Sequence, residues 1–79
     1  MYTKIQFGKD LKKRVEERQP IAEIAQWAYG VYLDFDVEGF DNLLLRLDAM
    51  ELGPEFFLSY KELNQIADNL ILGKDVKGY

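Results

Sequence analysis

Cysteine and histidine are absent from this sequence, and serine and threonine occur once each, as Ser59 and Thr3. The absence of cysteine excludes a disulfide framework, a thiolate nucleophile and a cysteine-based zinc site. The absence of histidine excludes Ser-His-Asp and Cys-His catalytic pairs and histidine metal ligands. The remaining chemistry is that of carboxylates, which usually needs a cleft that a short chain has little volume to build. We therefore expect a protein that is not an enzyme and that has no cofactor.

Long hydrophobic runs are also absent, since the longest uninterrupted ones have three residues, as at 43–45. No such run can span a bilayer. The first eight residues contain neither a long apolar stretch nor a small-residue cleavage site, so we predict no signal peptide. These features predict a soluble, cytoplasmic protein that does not insert into membranes.

The chain has 79 residues, of which 48% are hydrophobic and 14% aromatic. A domain of this size buries only about 60–65% of the surface that its unfolded chain exposes, so its core is small. The length allows one domain, and we predict a single helical domain over residues 1–79.

Four segments have hydrophobic residues at helical spacing, which predicts helices at about 9–18, 20–33, 37–52 and 60–72. The last is the clearest, because Ser59 and Glu62 form a capping box before it and Gly73 ends it. Pro20 suits the first position of the second helix, and Asp36 is a candidate cap for the third. The sum is an all-α fold, a compact bundle of four short helices.

An α+β alternative with a small two-stranded element remains open. Residues 31–37 alternate between apolar and polar side chains, and so do residues 3–7. This period of two is typical of a half-buried strand, and the two runs would pair with each other.

Charge is distributed unevenly along the chain. Residues 1–18 contain six basic and three acidic residues, a local charge of +3, whereas residues 19–79 contain four basic and eleven acidic ones, a local charge of −7. An acidic body repels phosphate, so we do not expect nucleic acid as a partner. It is complementary instead to a basic protein, because opposite fields accelerate encounter.

Aromatic side chains beside the acid-rich segment complete the predicted site, since tyrosine and tryptophan are frequent interface anchors. The start of this segment, Asp34-Phe35-Asp36-Val37-Glu38-Gly39, is similar to a calcium loop, but position 12 is Leu45 rather than the required glutamate. We therefore predict no metal site. The residues predicted to bind a partner are Tyr29, Tyr32, Asp34, Asp36, Glu38 and Asp41.

Two further functions stay open. The first is a homodimer of structural or regulatory role, in which Trp27, Phe56 and Phe57 bury a shared apolar face. The second is a regulatory module whose basic first helix, residues 9–18, contacts RNA or a membrane surface.

Three stretches resemble a known class of protein: Trp27-Ala28-Tyr29, the apolar stripe of residues 43–50, and Gly53-Pro54-Glu55-Phe56-Phe57-Leu58-Ser59 with Glu62 and Leu63. In this layout, over residues 8–73, the chain resembles small, acidic, helical bacterial proteins of the bacteriocin-immunity type, which guard cells against colicin-like nucleases. The resemblance implies an inhibitor that covers the basic active site of a toxin with carboxylates.

Overall fold

The computed structural model describes residues 3–35 and 40–74. Within these ranges the chain forms four α-helices, α1 (Lys4–Glu16), α2 (Ile21–Asp34), α3 (Asp41–Asp48) and α4 (Tyr60–Ile71), with short 3₁₀ turns at Ala49–Leu52 and Pro54–Phe56. No strand occurs in this part of the chain. The predicted all-α bundle of four short helices is confirmed, and the alternative with a two-stranded element is wrong.

The sequence predicts that the first helix starts near Lys9, but α1 begins at Lys4. Thr3 caps it, because its hydroxyl accepts a hydrogen bond of 3.1 Å from the amide of Gln6. The alternating run at 3–7 is therefore helical. Its one buried side chain, Phe7, continues the apolar stripe of Leu11 and Val15 at a spacing of four residues.

The second alternating run is helical too, since α2 continues to Asp34. A strand would place Val31 and Leu33 on the same face, but Val31 is buried while Leu33 is 62% exposed. Pro20 is the residue before the helix and not its first residue. The observed helix is thus shifted by one residue at each end from the predicted 20–33.

Helix α3 begins at Asp41, and the residue before it, Phe40, makes no side-chain cap. The predicted start of this helix at 37 and its proposed cap, Asp36, lie outside the described residues. At its other end the last predicted turn is a 3₁₀ turn, Ala49–Leu52, which precedes the Gly53-Pro54 break.

The capping box of α4 is present in altered form. The Ser59 hydroxyl accepts from the amide of Glu62 at 3.1 Å, and it donates to the Glu62 carboxylate at 3.2 Å. The carboxylate thus reaches back to the hydroxyl. Gly73 adopts the left-handed conformation at the end of the helix. The backbone amide of Lys74 donates to the carbonyl of Asn69 at 2.8 Å, which completes a Schellman motif.

The end of α1 uses the same motif without a glycine. Arg18 has φ of 55°, and the amide of Gln19 donates to the Arg14 carbonyl at 3.0 Å. The Tyr60 hydroxyl donates to the Gln19 carbonyl at 2.7 Å, and the Arg18 guanidinium lies over the Tyr60 ring, 5.0 Å from its centroid. The connection between α1 and α2 is thus held by α4.

Aromatic rings join the two halves of the bundle. Helix α1 packs mainly against α4, and α2 packs mainly against α3. Phe7 of α1 stacks on Trp27 of α2, with centroids 4.7 Å apart and planes 6° apart, and its centroid lies 5.6 Å from that of Phe40. The largest fully buried side chains around this cluster are Leu11, Ile24, Leu43, Leu44, Leu47, Met50, Leu63, Ile66 and Leu70.

Helices α1 and α4 approach each other most closely at Gly8. A Cβ atom at this position would lie 2.8 Å from the Cβ of Leu70 and 2.9 Å from the carbonyl oxygen of Ala67. The second of these is backbone and cannot rotate away. Glycine is therefore required here by the spacing of the two helices.

We predict opposite effects for the same substitution at the two helical glycines. Gly8→Ala forces α1 and α4 apart, and we expect it to lower the free energy of unfolding by about 1–3 kcal/mol. Gly30→Ala meets no atom within 4 Å, so we expect it to raise that free energy by about 0.5–1 kcal/mol through helix propensity. Urea denaturation measures both, and a Gly8→Ala variant as stable as the parent would contradict the packing argument.

Candidate functional site

The predicted tyrosines lie together at the C-terminal end of α2. Tyr29 is 41% exposed, and its ring stacks on that of half-buried Tyr32 with centroids 6.2 Å apart and planes 16° apart. Asp34 is the last residue of the same helix and is exposed. The structure therefore brings three of the six predicted residues to one end of one helix.

The other predicted carboxylates are placed differently. Asp41 is exposed and is the first residue of α3, the helix that packs against α2. Asp36 and Glu38 lie outside the described residues. Asp34 and Asp41 thus flank the short stretch that joins the two helices.

Basic residues are missing from this region of the sequence. No lysine or arginine occurs between Arg18 and Arg46, a segment that includes all of α2 and the start of α3. Asp34 stands at the negative end of the α2 dipole, where a carboxylate is disfavoured, whereas Asp41 stands at the positive end of α3. A cation bound beside Asp34 would offset the unfavourable position of its carboxylate.

Apart from Tyr29, the outward side of α2 was not predicted as part of a site. It carries no charge along its centre, although a surface helix normally has charged residues opposite the core. The available signal was the ten-residue segment 24–33, which contains no charged residue. We call this surface the α2 outer face, and its residues are Ala22, Gln26, Tyr29, Gly30 and Leu33.

Trp27 is enclosed by neighbours within the bundle. Phe7 stacks on its ring, and the guanidinium carbon of Arg14 lies 4.3 Å from the ring centroid. Arg14 also donates to the side-chain oxygen of Gln19 at 3.3 Å. Trp27 therefore serves as a structural residue. Of the three aromatic residues considered for a homodimer face, only Phe56 and Phe57 are exposed.

Three of the six basic residues in segment 1–18 contact other parts of the molecule. Lys12 forms an ion pair of 2.5 Å with Asp68 of α4, and this hydrogen bond raises the pKa of Lys12. Arg14 and Arg18 lie over the rings of Trp27 and Tyr60. These contacts reduce the positive surface that α1 offers to RNA or to a membrane.

A shallow groove of about 480 Å³ runs between the end of α1 and the start of α4, and its lining includes Glu16, Arg18, Lys61 and Asn64. The described residues contain no cluster of three or more metal-ligating side chains. In the same part of the chain, no helix combines the length and the apolar character needed to cross a membrane.

Comparisons of the chain with models of known protein families, with curated proteins and with solved structures found no match.

One carboxylate at the other end of α3 has a shifted pKa. Burial raises the pKa of Asp48 above its ordinary value of 3.8, and the nearby charge of Glu51 raises it further. Asp48 is also the last residue of α3, at the negative end of the dipole. Because its folded-state pKa is raised, Asp48 favours folding below its ordinary pKa, and that contribution is lost as pH rises through the raised value.

We therefore predict that Asp48→Asn raises the urea midpoint at pH 7 and that the gain disappears well below pH 3.8, where the carboxyl is neutral in both states. Asp41→Asn is the matched control with the opposite sign, because it removes a charge from the positive end of α3 at a cost of about 0.3–1 kcal/mol. Equal midpoints for Asp48→Asn and the parent across this pH range would refute the assignment.

Proposed function

We propose that this protein is a non-catalytic binding module that docks onto a basic protein partner through the C-terminal end of α2 and the start of α3. The observation that carries the proposal is the exposed Tyr29 ring, which stacks on Tyr32 in the last turns of the helix that ends at Asp34. The segment around these residues has no basic residue to neutralise its carboxylates.

The stacked tyrosines provide an anchor at low entropic cost. Association loses free energy whenever a mobile side chain is immobilised. The Tyr32 ring already restricts that of Tyr29, so less freedom remains to be lost on binding. A tyrosine held in this way has the properties of an interface hot spot, with an apolar body and a polar hydroxyl.

The carboxylates contribute mainly to the rate of encounter. Exposed charges at the rim of an interface steer a partner of opposite sign, and salt screens them. Asp34 gains most from this arrangement, because a cation on the partner compensates for its position at the negative end of α2.

The resemblance to immunity-type proteins extends the proposal to one class of partner, a toxin nuclease. A nuclease presents a basic surface to the phosphates of its substrate, and a carboxylate-bearing protein competes for that surface by charge. A bacterial origin and a cytoplasmic location are part of this extended proposal.

The exposed Phe56 and Phe57 favour a second candidate, a homodimer that buries this pair. Sedimentation at micromolar concentration distinguishes the two candidates. A monomer would eliminate the homodimer and leave the binding module in place.

The test of the carboxylates uses a double variant, Asp34→Asn with Asp41→Asn. The partner is captured from the source cells on the immobilised parent protein, identified and purified. We expect the double variant to bind it about tenfold more slowly at low salt and at a similar rate at high salt. Glu16→Gln with Glu17→Gln makes the same charge change at the C-terminal end of α1 and should leave the rate unchanged. Equal rates for the two double variants would remove Asp34 and Asp41 from the mechanism.

The test of the anchor is Tyr29→Ala, compared with Tyr29→Phe. Truncation of a hot-spot tyrosine costs about 2 kcal/mol or more, so we expect dissociation of the captured partner to accelerate about thirtyfold. Tyr29→Phe retains the stacked ring and should lose much less. Calorimetry of the partner complex gives both values, and a Tyr29→Ala variant of parental affinity would contradict the anchoring role.

A further inference from the structure

We propose that the α2 outer face receives an amphipathic helix of the partner, one whose apolar stripe carries lysine or arginine near both ends. This inference rests on the proposed function and specifies the element that the partner contributes. It is carried by the shape of the face, the open space at Gly30 and the placement of two acids along one edge.

The face has the geometry of a helix-packing surface. Its five residues follow one another at i, i+4, i+7, i+8 and i+11, which places them in one stripe along the helix. The stripe is about 16 Å long at 1.5 Å per residue. Leu33, the most exposed of its large side chains, and Tyr29 give it apolar area, so a second helix can pack along it as helices do in grooves.

Gly30 leaves a gap in the middle of this stripe. A Cβ atom placed there would have no neighbour within 4 Å, so the packing of the bundle does not require a glycine. Glycine within a helix is destabilising relative to alanine. A gap between Tyr29 and Leu33 lets the side chain of a second helix reach the backbone, as a ridge enters a groove.

The charges select the occupant. Glu23 and Asp34 are exposed and eleven residues apart, close to three full turns, so they lie on the same side of α2 at the two ends of the stripe. A second copy of this chain packed antiparallel on this face would place Glu23 against Asp34 at both ends of the shared edge. A partner helix with a cation near each end meets both carboxylates and is therefore the complementary occupant.

The experiment uses two synthetic 18-residue helical peptides with the same leucine stripe. One has lysine at two positions eleven residues apart on the flank of the stripe, and the other has glutamate there. We expect the lysine peptide to bind with amide shift changes concentrated on the α2 outer face, and the glutamate peptide to bind about tenfold more weakly or not at all.

The matched variants are Gly30→Lys on α2 and Gln65→Lys at an exposed position of α4, and both add one positive charge. Gly30→Lys fills the gap and repels the cationic peptide, so we expect its affinity to fall about tenfold while its thermal stability stays at or above the parental value. Gln65→Lys should keep parental affinity. Equal binding of the two peptides, binding of neither, shift changes elsewhere, or parental affinity of Gly30→Lys would each overturn the inference.

The two proposals fail separately. A captured partner that responds to Asp34→Asn with Asp41→Asn but not to Gly30→Lys leaves the proposed function standing and refutes the helix on the α2 outer face. A dimer of the parent that Gly30→Lys dissociates would replace the partner helix by a second copy.

Discussion

The stacking of Phe7 on Trp27 is the contact on which the rest of the bundle depends. It joins the α1 and α4 pair to the α2 and α3 pair, and Phe40 at the start of α3 completes the cluster. The Arg14 guanidinium of α1 also lies over the indole. Because two residues of α1 hold Trp27, they fix the rotation of α2 about its own axis and with it the choice of residues that face outward.

With this rotation, α2 buries some small side chains and exposes some large ones. Its buried face includes two alanines, Ala25 and Ala28, while Tyr29 and Leu33 are exposed. Large apolar residues outside enlarge the uncharged surface that a partner can cover. The same packing that completes the small core thus leaves the α2 outer face available for binding.

The sequence allowed the helices to be predicted well where local signals agreed with tertiary packing. The Ser59 cap and Gly73 bracket α4 at its observed ends, because both act through the backbone next to them. The start of α1 was missed because residues 3–7 alternate, although Thr3 caps the helix there and Phe7 is buried against Trp27. Apart from Tyr29, the α2 outer face was missed because none of its other residues carries a charge or an aromatic ring on which a site prediction could rest.

The carboxylates of the site show where stability and binding have different requirements. Asp41 lies at the positive end of α3, so its charge favours the fold and its presence needs no partner. Asp34 lies at the negative end of α2, in a helix whose last turn has no basic residue, so its charge opposes the fold. Only Asp34 therefore gains helix-end compensation when a cation approaches. For this reason a basic partner should depend more on Asp34 than on Asp41, although both carboxylates are exposed and carry the same charge.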